Sequence, residues 1–101
     1  MVNYPDQGDL ISVKDVPYRL LVVSSRFFND SGSVVACPVI KDASDGPLHI
    51  AVETPSDSGR VICEQMKYFN LKQRSFRITG RISFYQLMDI SDAIQGIFEY
   101  I

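Results

Sequence analysis

The 101-residue sequence is 46% hydrophobic and 22% charged with a formal net charge of −2, a globular balance that excludes a disordered tail. A chain of this length fits one domain, taken as 1–101, and buries roughly two-thirds of its unfolded surface without needing a disulfide or structural metal. It contains no run of the roughly 18 to 20 apolar residues that cross a bilayer, and MVNYPDQGD carries no signal-peptide pattern, so a soluble cytoplasmic protein without membrane contact is expected.

Short β-type runs separated by turn residues predict a mainly β (α+β) fold, a sheet or small barrel with one closing helix. DLISVK (9–14) comes first, followed by a turn at DVP (15–17). YRLLVVSS (18–25) reads as a strand buried on both faces across its middle. RFFND (26–30) is too short for a stable helix and makes one turn. In SVVACPVIK (33–41), Pro38 predicts an end, a bulge or an edge. Cys37 and Cys63 lie in apolar text without CxxC spacing, which predicts buried reduced thiols and a cytosolic setting. After the loop DASDG (42–46), PLHIAVE (47–53) alternates, with Leu48, Ile50 and Val52 on one side. TPSDSG (54–59) is a turn.

Two longer strand-like runs follow, RVICEQMKYF (60–69) and RSFRITGRIS (74–83). In the second, alternation sets Phe76, Ile78 and Ile82 on one face and Arg77, Thr79 and Arg81 on the other, with a bend at Gly80. Ser83 and Gln86 have capping-box spacing. Phe84, Leu87, Met88, Ala93 or Ile94, Ile97, Phe98 and Ile101 then recur at helical intervals, predicting an amphipathic helix of about 16 residues.

Charge is unevenly distributed. Residues 1–59 carry four basic and eight acidic side chains, whereas 60–82 carry six basic side chains and only Glu64. A basic block with interleaved Tyr68, Phe69 and Phe76 suits a phosphate backbone with rings to stack on bases, or else a solvated strand face. The catalytic inventory is thin: a single histidine, His49, and no phosphate-cradling glycine loop. One reaction needs few special groups, the cleavage of RNA by its own 2′-hydroxyl, for which a base and cations suffice. Arg19, at the start of an apolar strand, is a candidate for stabilising phosphorane charge, and Glu64 a candidate base. The same two residues could instead form a salt bridge that fixes the sheet.

The order GDLISV (8–13), YRLLVVSS (18–25), FND-G (28–32), VVACPVI (34–40), GPLHI (46–50), VICEQMKYF (61–69) and R-FRITGRIS (74–83), followed by a helix, resembles the PemK/MazF–CcdB superfamily of toxin–antitoxin toxins. The resemblance implies an SH3-like β-barrel with a C-terminal helix, a homodimer, and neutralisation by a cognate antitoxin. For the ribonuclease branch it implies metal-independent cleavage of single-stranded RNA without a cofactor. Arg19 falls on the catalytic arginine, Glu64 and Gln65 on an acid–glutamine pair, and Lys67 and Arg74 on basic positions of that segment. Lys41, Gln65, Lys67, Arg74 and Arg77 would hold RNA. The sequence departs from the family at Ile40, which stands where a catalytic threonine is usual, with Lys41 or Ser44 as substitutes, and in the shortened loop KDVPY (14–18). The alternatives are a CcdB-like gyrase poison, suggested by DISDAIQGIFEYI (89–101) although Glu99 and Tyr100 replace its Trp and Gly, and a silent binding module.

Overall fold

The computed structural model describes residues 3–98. Seven antiparallel strands, β1 (Asp9–Val13), β2 (Arg19–Val22), β3 (Ser33–Ile40), β4 (His49–Glu53), β5 (Ser58–Ile62), β6 (Lys67–Asn70) and β7 (Phe76–Arg81), form one sheet. A four-residue helix, α1 (Arg26–Asn29), follows β2, and α2 (Phe84–Ile97) follows β7. The strand order is β4-β5-β3-β2-β1-β7, with β6 also paired to β3. The path curls like a barrel without closing. Its ends approach where Ser56 Oγ, in the β4–β5 turn, donates to the Thr79 carbonyl at 3.5 Å.

Alternation in β1, β2 and β3 puts apolar side chains on both faces, so two cores form. One gathers Leu10, Leu21, Cys37, Val39, Val61 and Ile90 under α2; the other gathers Ile11, Leu20, Val22, Val34 and Phe69. Leu20, Leu21 and Val22 are fully buried, as the apolar centre of 18–25 predicts. Both thiols are free and buried, and burial pushes Cys37 up to about 12 and Cys63 to about 11, which makes them poor nucleophiles.

Four local expectations change. Pro38 is neither at an edge nor at a strand end. Along one side of β3, Ser33–Ala36 pair with β6 and Val39–Ile40 with β5. Cys37 and Pro38 fall between the two, so the missing N–H costs no ladder bond there. The run 60–69 is two strands, because a 3-10 turn at Cys63–Gln65 divides β5 from β6. In β7 the register shifts against Leu10/Ile11, and Arg77 and Arg81 pair with Ser12 and Asp9. Those partners are an odd number of residues apart, so the bulge turns the two arginines to opposite faces. Arg81 is bound to Asp9 at 2.7 Å, and Ile78 is largely exposed.

The α2 capping box forms as expected from Ser83 and Gln86. The buried face differs from the predicted stripe. Ile90, absent from that stripe, is the fully buried residue, supported by Leu87, Ala93 and Ile94, whereas Phe84, Met88 and Phe98 are exposed. Residues 87, 90 and 94 share one helical face. The positions Glu99, Tyr100 and Ile101, which bear on the gyrase alternative, lie outside the described residues.

Candidate functional site

A cleft of about 350 Å³ opens at one end of the sheet between Pro17, Tyr18 and Arg19, the end of β3 at Val39–Lys41, and Asp57–Ser58 ahead of β5. Three short-range devices shape it. The β1–β2 connection is a tight turn in which Asp15 adopts φ +71° and Val16 N–H donates to the Val13 carbonyl at 3.1 Å. Between β4 and β5, Thr54 N–H donates to the Asp57 carbonyl at 2.7 Å and Asp57 N–H to Thr54 Oγ1 at 3.0 Å. Gly59, at φ +155°, lets β5 meet β3, since a Cβ there would stand 2.9 Å from the Ile40 carbonyl oxygen.

Arg19 dominates the cleft. Its Nε lies 3.3 Å from Asp57 Oδ1, close enough for an ion pair yet out of line for a hydrogen bond, and this buried Nε has no other partner. Neither Nη is bonded among the described residues. Lys41 lies on the same rim, and Ile40 contributes a half-buried hydrocarbon wall where a threonine would have brought a hydroxyl. Ser44 is not in this lining; its carbonyl binds His49 instead.

The structure does not pair Arg19 with Glu64. Arg19 stands beside Val39, and Val39 beside Val61. Glu64 comes three residues further on, in the 3-10 turn that leaves the sheet, and is absent from the cleft lining. Its Oε2 meets His49 Nε2 at 2.9 Å. His49 Nδ1 faces the Ser44 carbonyl at 2.7 Å, which can only accept. Both ring nitrogens therefore face acceptors and the imidazolium is the fitting state. The Glu64 bond accordingly raises His49 from its ordinary value, and the same bond lowers Glu64.

The other expected RNA contacts are dispersed. Gln65 and Lys67 are exposed around the 3-10 turn and β6. Arg74 is engaged, with Nη2 donating to the Lys14 carbonyl at 3.0 Å and its guanidinium 5.5 Å from the Phe69 ring. Arg77 is exposed and lines a second cleft with Ser12, Lys14, Ser75 and Phe76. Of the three rings offered for stacking, Phe69 is buried and Phe76 stacks on Tyr4 at 6.1 Å; only Tyr68 is well exposed. Asp57 and Tyr18 were missed as site residues. The compact TPSDSG turn marked the position of Asp57, but nothing local marked its partner. Among the described residues no group of three His, Cys, Asp or Glu side chains is placed to hold a metal ion.

Fold and cleft together define a small α+β protein with an arginine-bearing cleft at the end of an antiparallel sheet. Residues 3–98 match the family of PemK-like, MazF-like toxins of type II toxin–antitoxin systems, and the chain belongs to that family. No curated protein matches the sequence. Among solved structures, a chain of the MazE–MazF crystal structure from Deinococcus radiodurans superposes with a TM-score of 0.87 at 20% identity, over 96% of this chain and 98% of that one. An endoribonuclease from a mycobacterial species gives 0.82 at 21% identity, over 97% and 94%. A mycobacterial endoribonuclease in complex with its cognate antitoxin gives 0.79 at 16% identity, over 93% and 94%. At these identities the likeness is one of fold. The family match lies on the PemK/MazF side of the superfamily, so the gyrase alternative is not favoured.

Proposed function

We propose that this toxin is an endoribonuclease that cuts single-stranded RNA by attack of the substrate's own 2′-hydroxyl on the adjacent phosphorus. The 2′-oxygen gives up its proton to solvent and bonds to phosphorus as the P–O5′ bond breaks, leaving a 2′,3′-cyclic phosphate and a 5′-hydroxyl that takes a proton from solvent. The observation that carries this reading is the Arg19 cleft, in which a half-buried guanidinium has Nη groups unbonded among the described residues and stands beside Lys41. A guanidinium fork matches two phosphate oxygens, and its positive charge would offset the charge that builds in the phosphorane.

A path for the flanking RNA is supported by strand register. Ser12 pairs with Arg77, and one step past the Ile11–Leu20 pair it lies beside Arg19. Arg77, Ser12 and Arg19 therefore project from one face, the two arginines about 10 Å apart at ordinary strand spacing. Gln65 and Lys67 lie on another part of the surface and would serve RNA beyond this row. Glu64, engaged by His49 outside the cleft, receives no proton-transfer step. Related proteins crystallised with antitoxins make a cognate antitoxin the fitting partner. The exposed Phe84, Tyr85 and Met88 of α2 offer apolar surface for it or for a second copy in a homodimer. A cytoplasmic site of action goes with a single-stranded RNA substrate. No helix among the described residues is long and apolar enough to cross a membrane.

The test is incubation of the purified protein with long single-stranded RNA in EDTA. Discrete fragments are expected from the wild type, and Arg19→Ala should cut about 100-fold more slowly or worse with unchanged circular dichroism. Uncut RNA, or undiminished cleavage by the variant, overturns the reading.

A further inference from the structure

We propose that Asp57 is a positioning residue for Arg19: it holds the Nε side of the guanidinium so that the two Nη groups face the cleft before substrate arrives. For its kinetic consequences this rests on the ribonuclease reading above.

The two side chains are unequally exposed. Asp57 is 13% accessible and Arg19 37%, so although both line the cleft, the guanidinium is the more exposed of the two and the carboxylate the more deeply held. Oδ1 approaches Nε at 3.3 Å, and among the described residues that buried nitrogen has no hydrogen-bond partner, so Asp57 supplies the charge that offsets its burial. Asp57 is itself fixed. Its N–H and carbonyl are tied to Thr54, Ser56 Oγ donates to Oδ2 at 3.3 Å, and the same hydroxyl lies 3.5 Å from the Thr79 carbonyl on β7. The turn thus joins the two ends of the strand path and carries the carboxylate to Arg19. A free arginine side chain has many rotamers, and ordering it while binding would weaken binding and misplace the fork; ordering it in advance avoids both. An anchor on Nε also leaves both Nη groups to take a phosphate bidentately.

The test compares Asp57→Ala, Asp57→Asn, Asp57→Glu, Arg19→Ala and the double variant Arg19→Ala/Asp57→Ala on a short fluorogenic RNA. Asp57→Ala should lower kcat about 10- to 100-fold with much less change in KM, and Asp57→Glu should restore part of the loss. The double variant should be no slower than Arg19→Ala, because Asp57 acts through Arg19. Full activity in Asp57→Ala, or losses that multiply in the double variant, would overturn the proposal. A second measurement does not depend on cleavage: the Arg19 Nε–H resonance in 15N NMR should exchange slowly with water in the wild type and fast in Asp57→Asn, which keeps the side-chain shape if the alanine variant fails to fold. Fast exchange in the wild type overturns the positioning role even if RNA is cut. A slow resonance in a wild type that cuts no RNA supports the positioning role and refutes the ribonuclease reading alone.

Discussion

Ile40→Thr should raise the rate of RNA cleavage. Ile40 forms one wall of the cleft, half-buried and next to Lys41, with Arg19 and Asp57 in the same lining. Threonine keeps the branched Cβ that suits a strand and replaces one carbon branch by a hydroxyl. A hydroxyl that donates to a phosphate oxygen only as charge develops there is worth about 1.5–3 kcal/mol, the range for hydrogen bonds to charged groups. At 1.36 kcal/mol per tenfold in rate, that is roughly 10- to 150-fold in kcat/KM. The folding cost is the lost transfer energy of the removed hydrocarbon, about 1 kcal/mol at a half-buried site. Strand β3 is held on both sides by β2, β5 and β6, so the variant should remain folded. The assay is initial-rate cleavage of a fluorogenic RNA in EDTA, with Ile40→Val as the control that shortens the side chain without adding a hydroxyl. Equal rates for the threonine and valine variants would refute the reasoning, because they would show that no reacting oxygen comes within reach of position 40.

The His49–Glu64 bond should make stability depend on pH at both ends. The raised His49 contributes fully below its ordinary 6.5 and loses its contribution as pH rises through its folded value. The lowered Glu64 contributes fully above its ordinary 4.5 and loses its contribution as pH falls through its folded value. The difference in urea midpoint between wild type and His49→Gln should therefore be largest between pH 4.5 and 6.5. A difference that is flat with pH would show the bond absent in solution. Ile90→Ala should destabilise by about 2–5 kcal/mol, since this residue is fully buried between α2 and the sheet. Phe84→Ala, at a side chain 69% exposed, should change thermal stability little; equal losses in the two variants would mean that α2 packs differently.

Where a residue's fate depended on its neighbours in the chain, it was legible in advance. The alternation of Leu48, Ile50 and Val52 set the inner side of β4, and Ser83 with Gln86 capped α2. The run RLLV needed no partner to be recognised as a strand buried on both sides. Arg19 was singled out from its residue type and position and Lys41 from the family resemblance, and the two share a cleft. The pairing of Arg19 with Glu64 was not legible, and neither was its replacement by Asp57, because the first depends on where β5 ends and the second on the turn from which it starts. The 3-10 turn at Cys63–Gln65 carries Glu64 away to His49, and the hydrogen-bonded turn at residues 54–57 brings Asp57 in.

The chain's own text determined which segments extend, which one coils, and how much cationic character gathers in its centre, because periodicity, capping and charge are properties of neighbours along the backbone. Which charges face one another was decided only in three dimensions. A single bulged residue in β7 turned Arg81 away from Arg77 and toward Asp9, and a single turn exchanged the carboxylate beside Arg19. Side-chain direction in a strand reverses with every residue, so one inserted position, invisible in local composition, reassigns every contact beyond it.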